Sequence, residues 1–324
     1  MKNLFKSKKI AIIAFMVIIG VSCKKNDAPA KPTQSITEIA VATPNLSILV
    51  AALTRANLAS TLSKSGTYTV FAPTNDAFAA FLKANNFAKL EDVPLDLLES
   101  VLLNHVIGTT VKSSQLTTSY VKTLAKSAVS TNTLSLFVNV AGGKVVLNGG
   151  IDNGGAMVKN PDIMANNGVI HIVDGVIGLP TIVTHAAANP NFTTLVAALK
   201  FNPASGFIGI LSGTANSPFT VFAPTNTAFG DFLTETKYAD LAAIPAPLLA
   251  TTLKYHVVTE ANVLATSLKE NQIVNTFAGQ EFTVMLAGGA KIKDANNRLS
   301  NIVFTDVQCN NGVIHVLDKV LLAK

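Results

Sequence analysis

Tyr68-Thr-Val-Phe-Ala-Pro-Thr-Asn-Asp-Ala-Phe78 returns later in the chain as Phe219-Thr-Val-Phe-Ala-Pro-Thr-Asn-Thr-Ala-Phe229. A second stretch, Asn166-Asn-Gly-Val-Ile-His171, returns letter for letter as Asn310-Asn-Gly-Val-Ile-His315. The unit that contains both is far longer than the roughly 20–50 residues of a solenoid repeat. It is therefore a whole domain present twice, and a residue in one copy can be checked against the other.

Outward from these motifs, the copies align nearly end to end. Thr43-Pro44 opens a helical pattern with Leu46, Leu49, Val50 and Leu53 on one face. Asn189-Pro190 opens its twin with Phe192, Leu195, Val196 and Leu199. In both, a capping residue precedes proline at the first helical position. The offset between copies is 146 residues here and 151 at the Phe-Ala-Pro-Thr-Asn motif, so copy two gains five residues, most simply in the loop from Phe201 to Gly206 onward. A short β-run, Tyr68 to Phe71, is broken by Pro73, and Thr74 caps a helix with Phe78, Phe81 and Leu82 on one face. Copy two repeats this with Thr225, Phe229, Phe232 and Leu233. A third helix starts at Pro94 and carries Leu97, Leu98, Val101, Leu102 and His105; its twin starts near Pro247 and carries Leu248, Leu249, Leu253 and His256. Strands follow: Leu134 to Val140 alternates, Gly142-Gly143 turns into Lys144 to Leu147, and each copy ends in a β-branched run. Helices first and strands later indicate an α+β domain.

The chain has 324 residues, 49% of them apolar and 14% charged, enough for two ordinary domains with sizeable cores. Its formal charge of +6 is concentrated at the start. Lys2, Lys6, Lys8 and Lys9 precede the apolar run Ile10 to Val21, which suits the h-region of a secretory signal and is too short to span a bilayer. Without residues 1–22 the charge falls to +2, which gives no basic face for nucleic acid. Ile19-Gly-Val-Ser-Cys23 resembles a bacterial lipobox, with Gly20 where leucine is usual. That resemblance implies cleavage before Cys23, lipidation of Cys23, and a membrane anchor followed by a solvated tether, 23–35. Cys309 is then left without a disulfide partner and reads as a small buried residue in the slot that Ala165 fills in copy one.

Thr-Val-Phe-Ala-Pro-Thr-Asn-x-Ala-Phe, a later Asn104-His105 or Tyr255-His256, and the terminal Asn-Gly-Val-Ile-His-x-x-Asp together resemble the fasciclin, or FAS1, domain. The motifs occur in family order in both copies and cover about residues 35–321. The resemblance implies two tandem β-wedge domains flanked by helices, 36–179 and 180–324. It also implies adhesion or extracellular binding rather than catalysis, with no cofactor. In animal members a Tyr-His motif and an Asp-Ile motif before the last strand are associated with integrin binding. Tyr255-His256 matches the first and Asn160-Pro161-Asp162-Ile163-Met164 resembles the second, but neither copy holds both. Asn104, His105, Tyr255, His256 and Asn160 to Met164 are therefore the candidate partner-binding residues. Their structural reading is the stronger one, since a lipoprotein-type signal argues against an integrin partner.

Four of the five histidines pair by repeat, His105 with His256 and His171 with His315. Histidines on apolar faces are more often buried, hydrogen-bonded neutral imidazoles than ligands. No cysteine or regularly spaced carboxylate joins them to complete a zinc set. There is no Gly-x-Ser-x-Gly elbow and no phosphate loop, and the Gly-Gly pairs read as turns. Helical spacing assigns the Phe78, Phe81, Phe229 and Phe232 stripes to the core rather than to a sugar-stacking surface. The expectation is a non-enzymatic lipoprotein of a bacterial envelope, anchored in the outer membrane, whose partner is an extracellular protein or polysaccharide. An accessory subunit of an envelope nutrient-uptake complex is the alternative, and an unrecognised hydrolase a remote one.

Overall fold

The computed structural model describes residues 31–201 and 206–324. The signal segment, Cys23 and the core of the extra loop after Phe201 lie outside them. Among the described residues, Pro32–Lys324 form one compact unit.

Copy one runs α1 (Ile36–Val41), α2 (Ser47–Arg55), α3 (Ala59–Ser63), β1 (Tyr68–Pro73), α4 (Asn75–Ala84), α5 (Leu95–Asn104), β2 (Val106–Ile107), β3 (Ser119–Lys126), β4 (Thr133–Ala141), β5 (Lys144–Leu147), β6 (Ala156–Ala165) and β7 (Gly168–Val173). Copy two follows the same plan: α6 (Ile182–Ala188), α7 (Thr193–Phe201), α8 (Phe207–Ser212), β8 (Phe219–Pro224), α9 (Asn226–Thr236), α10 (Ala246–Tyr255), β9 (Val257–Val258), β10 (Ile273–Asn275), β11 (Glu281–Met285), β12 (Lys291–Lys293), β13 (Leu299–Cys309) and β14 (Gly312–Leu317). Strand order in the first sheet is β2-β1-β7-β6-β5-β4-β3, and in the second β9-β8-β14-β13-β12-β11-β10.

The two motifs that reveal the repeat are neighbours at the centre of each sheet. β1 lies parallel to β7, with Phe71 opposite His171, and β8 lies parallel to β14, with Phe222 opposite His315. The other neighbours pair antiparallel. Each sheet curls towards a barrel. In copy two the Phe277 N–H, just beyond β10, reaches the Val257 carbonyl on β9 at 2.7 Å. The helices cover one side of the sheet with a core that includes Leu49, Phe78 and Leu98 in copy one and Phe192, Phe229 and Phe232 in copy two. The inside of the curl holds a second cluster, built on Phe71, Leu136 and Val138 or on Phe222, Phe282 and Ile292. Each large apolar side chain buried this way contributes about 1.5–3 kcal/mol.

The helix caps follow from local chemistry. The Thr74 and Thr225 hydroxyls accept from the Ala77 and Ala228 amides. The next residue works at longer range: Asn75 Oδ1 accepts from the Ile48 N–H while its Nδ2 donates to the Pro44 carbonyl. Asn226 does the same for Thr194 and Pro190. The Thr-Asn pair thus caps one helix and clamps the start of another.

Four expectations need correction. Pro73 ends β1 as a paired residue opposite Val173 rather than breaking the strand earlier. The twin of the third helix starts at Ala246, with Pro245 at its cap and Pro247 inside the first turn, where a missing N–H costs nothing, and Leu248 is left 40% exposed. Thr33 and Gln34, assigned to the tether, are already hydrogen-bonded to Asn166. Finally, β4 does not alternate. Leu134 to Val138 are all buried, because copy two covers the face that an isolated copy would leave in water.

Gly168 and Gly312 open the last strands at φ of +154° and +157°, and a Cβ at either would collide with the backbone carbonyl of the paired residue, Tyr68 or Phe219. Backbone cannot yield as a flexible side chain would. Gly312→Ala is expected to lower stability by about 3 kcal/mol or more. Urea unfolding monitored by circular dichroism checks this, and an unchanged midpoint would contradict the packing described.

Candidate functional site

The sequence candidates divide into a buried set and an exposed set. Asn104, His105, Tyr255 and His256 belong to the first and present nothing to a partner. Asn104 Nδ2 donates to the Gly178 carbonyl and its Oδ1 accepts from the Thr123 hydroxyl. Tyr255 replaces this arrangement with its own. Its hydroxyl donates to the Glu281 carbonyl at 2.7 Å and accepts from the Ala295 N–H at 3.0 Å. Burial raises its pKa to about 12, so it stays a neutral donor.

The paired histidines are clamps. At the end of α5, His105 Nδ1 donates to the Val101 carbonyl at 2.7 Å and Nε2 accepts from the Ile177 N–H at 2.8 Å. His256 bonds the Thr252 carbonyl and the Leu321 N–H in the same way. On β7, His171 Nδ1 accepts from the Asp162 N–H and Nε2 donates to the Val111 carbonyl. His315 does so with Asp306 and Val263. Both nitrogens of all four rings are therefore engaged by backbone, which fixes the tautomers and leaves no lone pair for proton transfer or for a metal. His171 stacks on Phe71 at 5.6 Å between centroids and His315 on Phe222 at 5.4 Å.

Asn160 to Met164 form the exposed set, on β6. A register shift between Asn160 and Ile163 spans Pro161 and Asp162, so the proline sits in a bulge where no ladder donor is required. Asp162 takes a positive φ of +64°, matched by +60° at Asp306. Its carboxylate accepts from the amide and hydroxyl of Ser113. Burial works to raise its pKa, but those bonds outweigh it and hold the carboxyl below the usual range. Ile163 packs against the copy-one core, so Asn160, Pro161 and Met164 carry the accessible surface. The segment is thus a structural bulge with an exposed rim, and it does not adjoin the Asn104-His105 pair through any hydrogen bond among the described residues.

What the motif reading missed is the seam between the copies. Lys122 Nζ donates to the Asp306 carbonyl at 2.8 Å and to the Ser135 hydroxyl at 3.1 Å. The Ser127 hydroxyl reaches the Cys309 carbonyl, and the Gln308 N–H reaches the Ser135 hydroxyl. Cys309 is fully buried here, and burial raises its thiol pKa well above the ordinary value. His185 on α6 is fully buried against the Tyr120 ring, 5.3 Å away, and neither ring nitrogen completes a hydrogen bond. The backbone of Ser135 and Gln308 lies near it. Burial and the charge of Lys122 lower its pKa to about 3. One sequence signal was available: His185 is the histidine without a repeat partner.

Burial also lowers His105 and His256 to about 4. Their folded pKa values lie below the ordinary 6.5, so as pH falls the unfolded chain takes up protons first. Stability is whole above pH 6.5 and drains between 6.5 and about 4, each histidine adding a slope that approaches about 1.4 kcal/mol per pH unit. Urea midpoints at pH 7.5, 6.0 and 5.0 are expected to fall in that order. A flat profile would mean these rings are solvated.

Comparison with known proteins places the chain. The fasciclin domain model matches residues 44–180 and again 190–323. A Synechocystis sp. protein is 36% identical over 152 residues, 47% of this chain and 77% of that protein. A second protein of the same organism is 33% identical over 148 residues, 44% of this chain and 98% of that protein. Human periostin is 26% identical over 296 residues, 89% of this chain, but this chain spans only 31% of periostin. Among solved structures, a FAS1 domain pair from the insect cell adhesion molecule fasciclin I aligns at a TM-score of 0.48 and 22% identity, over 84% of this chain and 92% of that one.

Proposed function

The chain belongs to the fasciclin domain family, as two domains in tandem, and from that premise we propose that it is a non-enzymatic binding protein of the cell envelope. Its partner is an extracellular protein or polysaccharide, and its role is adhesion or capture. One observation carries this reading. Polar groups that both copies keep are consumed inside the fold, among them the four paired histidines, Asn167 and Asn311, and Thr69 and Thr220, all of which bind backbone. A catalytic set needs a group with a free lone pair or proton aimed at an accessible space. Here such groups are spent on holding strands and helices together, and recognition falls to surfaces that differ between copies.

Anchoring by an acylated Cys23 fits this role, and so does placement in the outer membrane. Among the described residues no helix is long and apolar enough to cross a membrane. Lys31 to Gln34 are exposed, so the chain leaves the first domain on its surface.

Two experiments test the proposal. Cys23→Ala is expected to move the protein from the membrane fraction to the wash fraction of lysed cells; retention in the membrane would remove the anchor. The purified protein is expected to bind on a glycan array or a matrix-protein array, and silence on both would leave the binding role without support. Co-purification with a transporter from solubilised envelope would instead make it an accessory subunit.

A further inference from the structure

The seam leaves a cleft of about 340 Å³ on the surface between the two copies. That is at the lower end of the roughly 300–1,000 Å³ typical of small-ligand sites. Its floor is aromatic: Tyr120 of copy one lies 4.8 Å from Phe137 and 5.7 Å from Phe304 of copy two, centroid to centroid. Asn189 Nδ2 donates to the Tyr120 hydroxyl at 3.1 Å and pins that ring. Phe304 remains 45% exposed and its neighbour Val303 56%. The rim is polar, with Ser119, Asn191 and Thr225.

From this lining we propose that the inter-copy cleft binds a neutral oligosaccharide, with a sugar ring laid on Phe304. The proposal rests on the reading of the chain as an extracellular binding protein and names its ligand class. No acidic, basic or histidine side chain lines the cleft, so a charged ligand would lose hydration without gaining a partner. The polar lining groups are amides and hydroxyls, which both donate and accept, as sugar hydroxyls do. Among the described residues the Asn191 carboxamide makes no hydrogen bond, and the Thr225 hydroxyl accepts from Ala228 while its proton has no acceptor. A pyranose offers an apolar C–H face beside a rim of hydroxyls, and an aromatic face with its negative quadrupole suits the first while the amides suit the second. A folded protein partner needs about 800 Å² on each side, and the exposed apolar surface here is two adjacent side chains in a recess.

Among the described residues the pairing of Tyr120 with an aromatic side chain of the other copy occurs once. In repeat register, Asn160 stands in copy one where Phe304 stands in copy two, and the cleft's other wall comes from copy one itself. Neither domain alone holds both Tyr120 and Phe304.

The test uses the full-length protein and four neutral probes: xylohexaose, cellohexaose, laminarihexaose and mannohexaose. Hexagalacturonate is the charged comparator. Saturation-transfer NMR and calorimetry are expected to show at least one neutral probe binding through its C–H face. Phe304→Ala is expected to weaken it about tenfold. Leu248→Ala, a comparably exposed residue outside the cleft, is expected to leave it unchanged. The absence of binding by every neutral probe at millimolar concentration would overturn the proposal, as would preference for the acidic probe. Array binding that survives Phe304→Ala would sink this site while leaving the binding role intact. Binding of a protein ligand that Phe304→Ala abolishes would assign the cleft to proteins and overturn the saccharide.

Discussion

The parallel pairing of β1 with β7, and of β8 with β14, is the constraint on which each copy depends. Parallel neighbours cannot be joined by a tight turn, so about a hundred residues of helix and meander must fit between Tyr68 and its partner Gly168. The pair lies between the helical core and the interior of the curled sheet, so both its faces are buried. That explains why β7 and β14 are apolar without alternation. It also explains the glycines that open them, since the turn before each strand passes directly over the partner's backbone.

Burial on both faces raises a second demand. Loops that cross the ends of this strand pair carry backbone groups away from water, and each needs a partner. The histidines and asparagines of the repeated motifs meet that demand. His105 and His256 satisfy the N–H of the segment leaving the last strand. His171 and His315 join the bulge of the neighbouring strand to the loop after the short second strand. Asn167 and Asn311 bind the N-terminus of the first helix and the end of the third. A neutral imidazole suits this work because it donates and accepts on opposite edges. Held neutral by burial, His105 and His256 tie the stability of the fold to pH.

The seam follows different rules. It is formed by β3 and β4 of one copy and α6 and β13 of the other, and it turns the outer face of β4 into interior. Most of its polar groups are paired, but His185 is not. An unpaired buried imidazole costs stability. It packs edge-on against Tyr120, whose ring forms part of the cleft that both copies build.

The sequence alone determined the existence of two α+β copies, the short 3-10 turn at Pro44 that leads into α2, the N-cap positions Thr74 and Pro94 of α4 and α5, and the burial of Phe78, Phe229, Cys309 and the paired histidines. These are consequences of periodicity, capping and repetition, which act within a few residues and are written twice. The β-wedge class came through the family resemblance. The tertiary structure decided that Tyr255 and Asn104 serve the interior, that Asp162 caps a distant turn, and that Leu134 to Val138 are buried throughout. It also decided that Tyr120, His185 and Phe304 meet. The reason is physical. A side chain's burial and partners are set by what packs on it from remote parts of the chain, and the seam residues have no counterpart in the repeat to signal that the other copy lies against them.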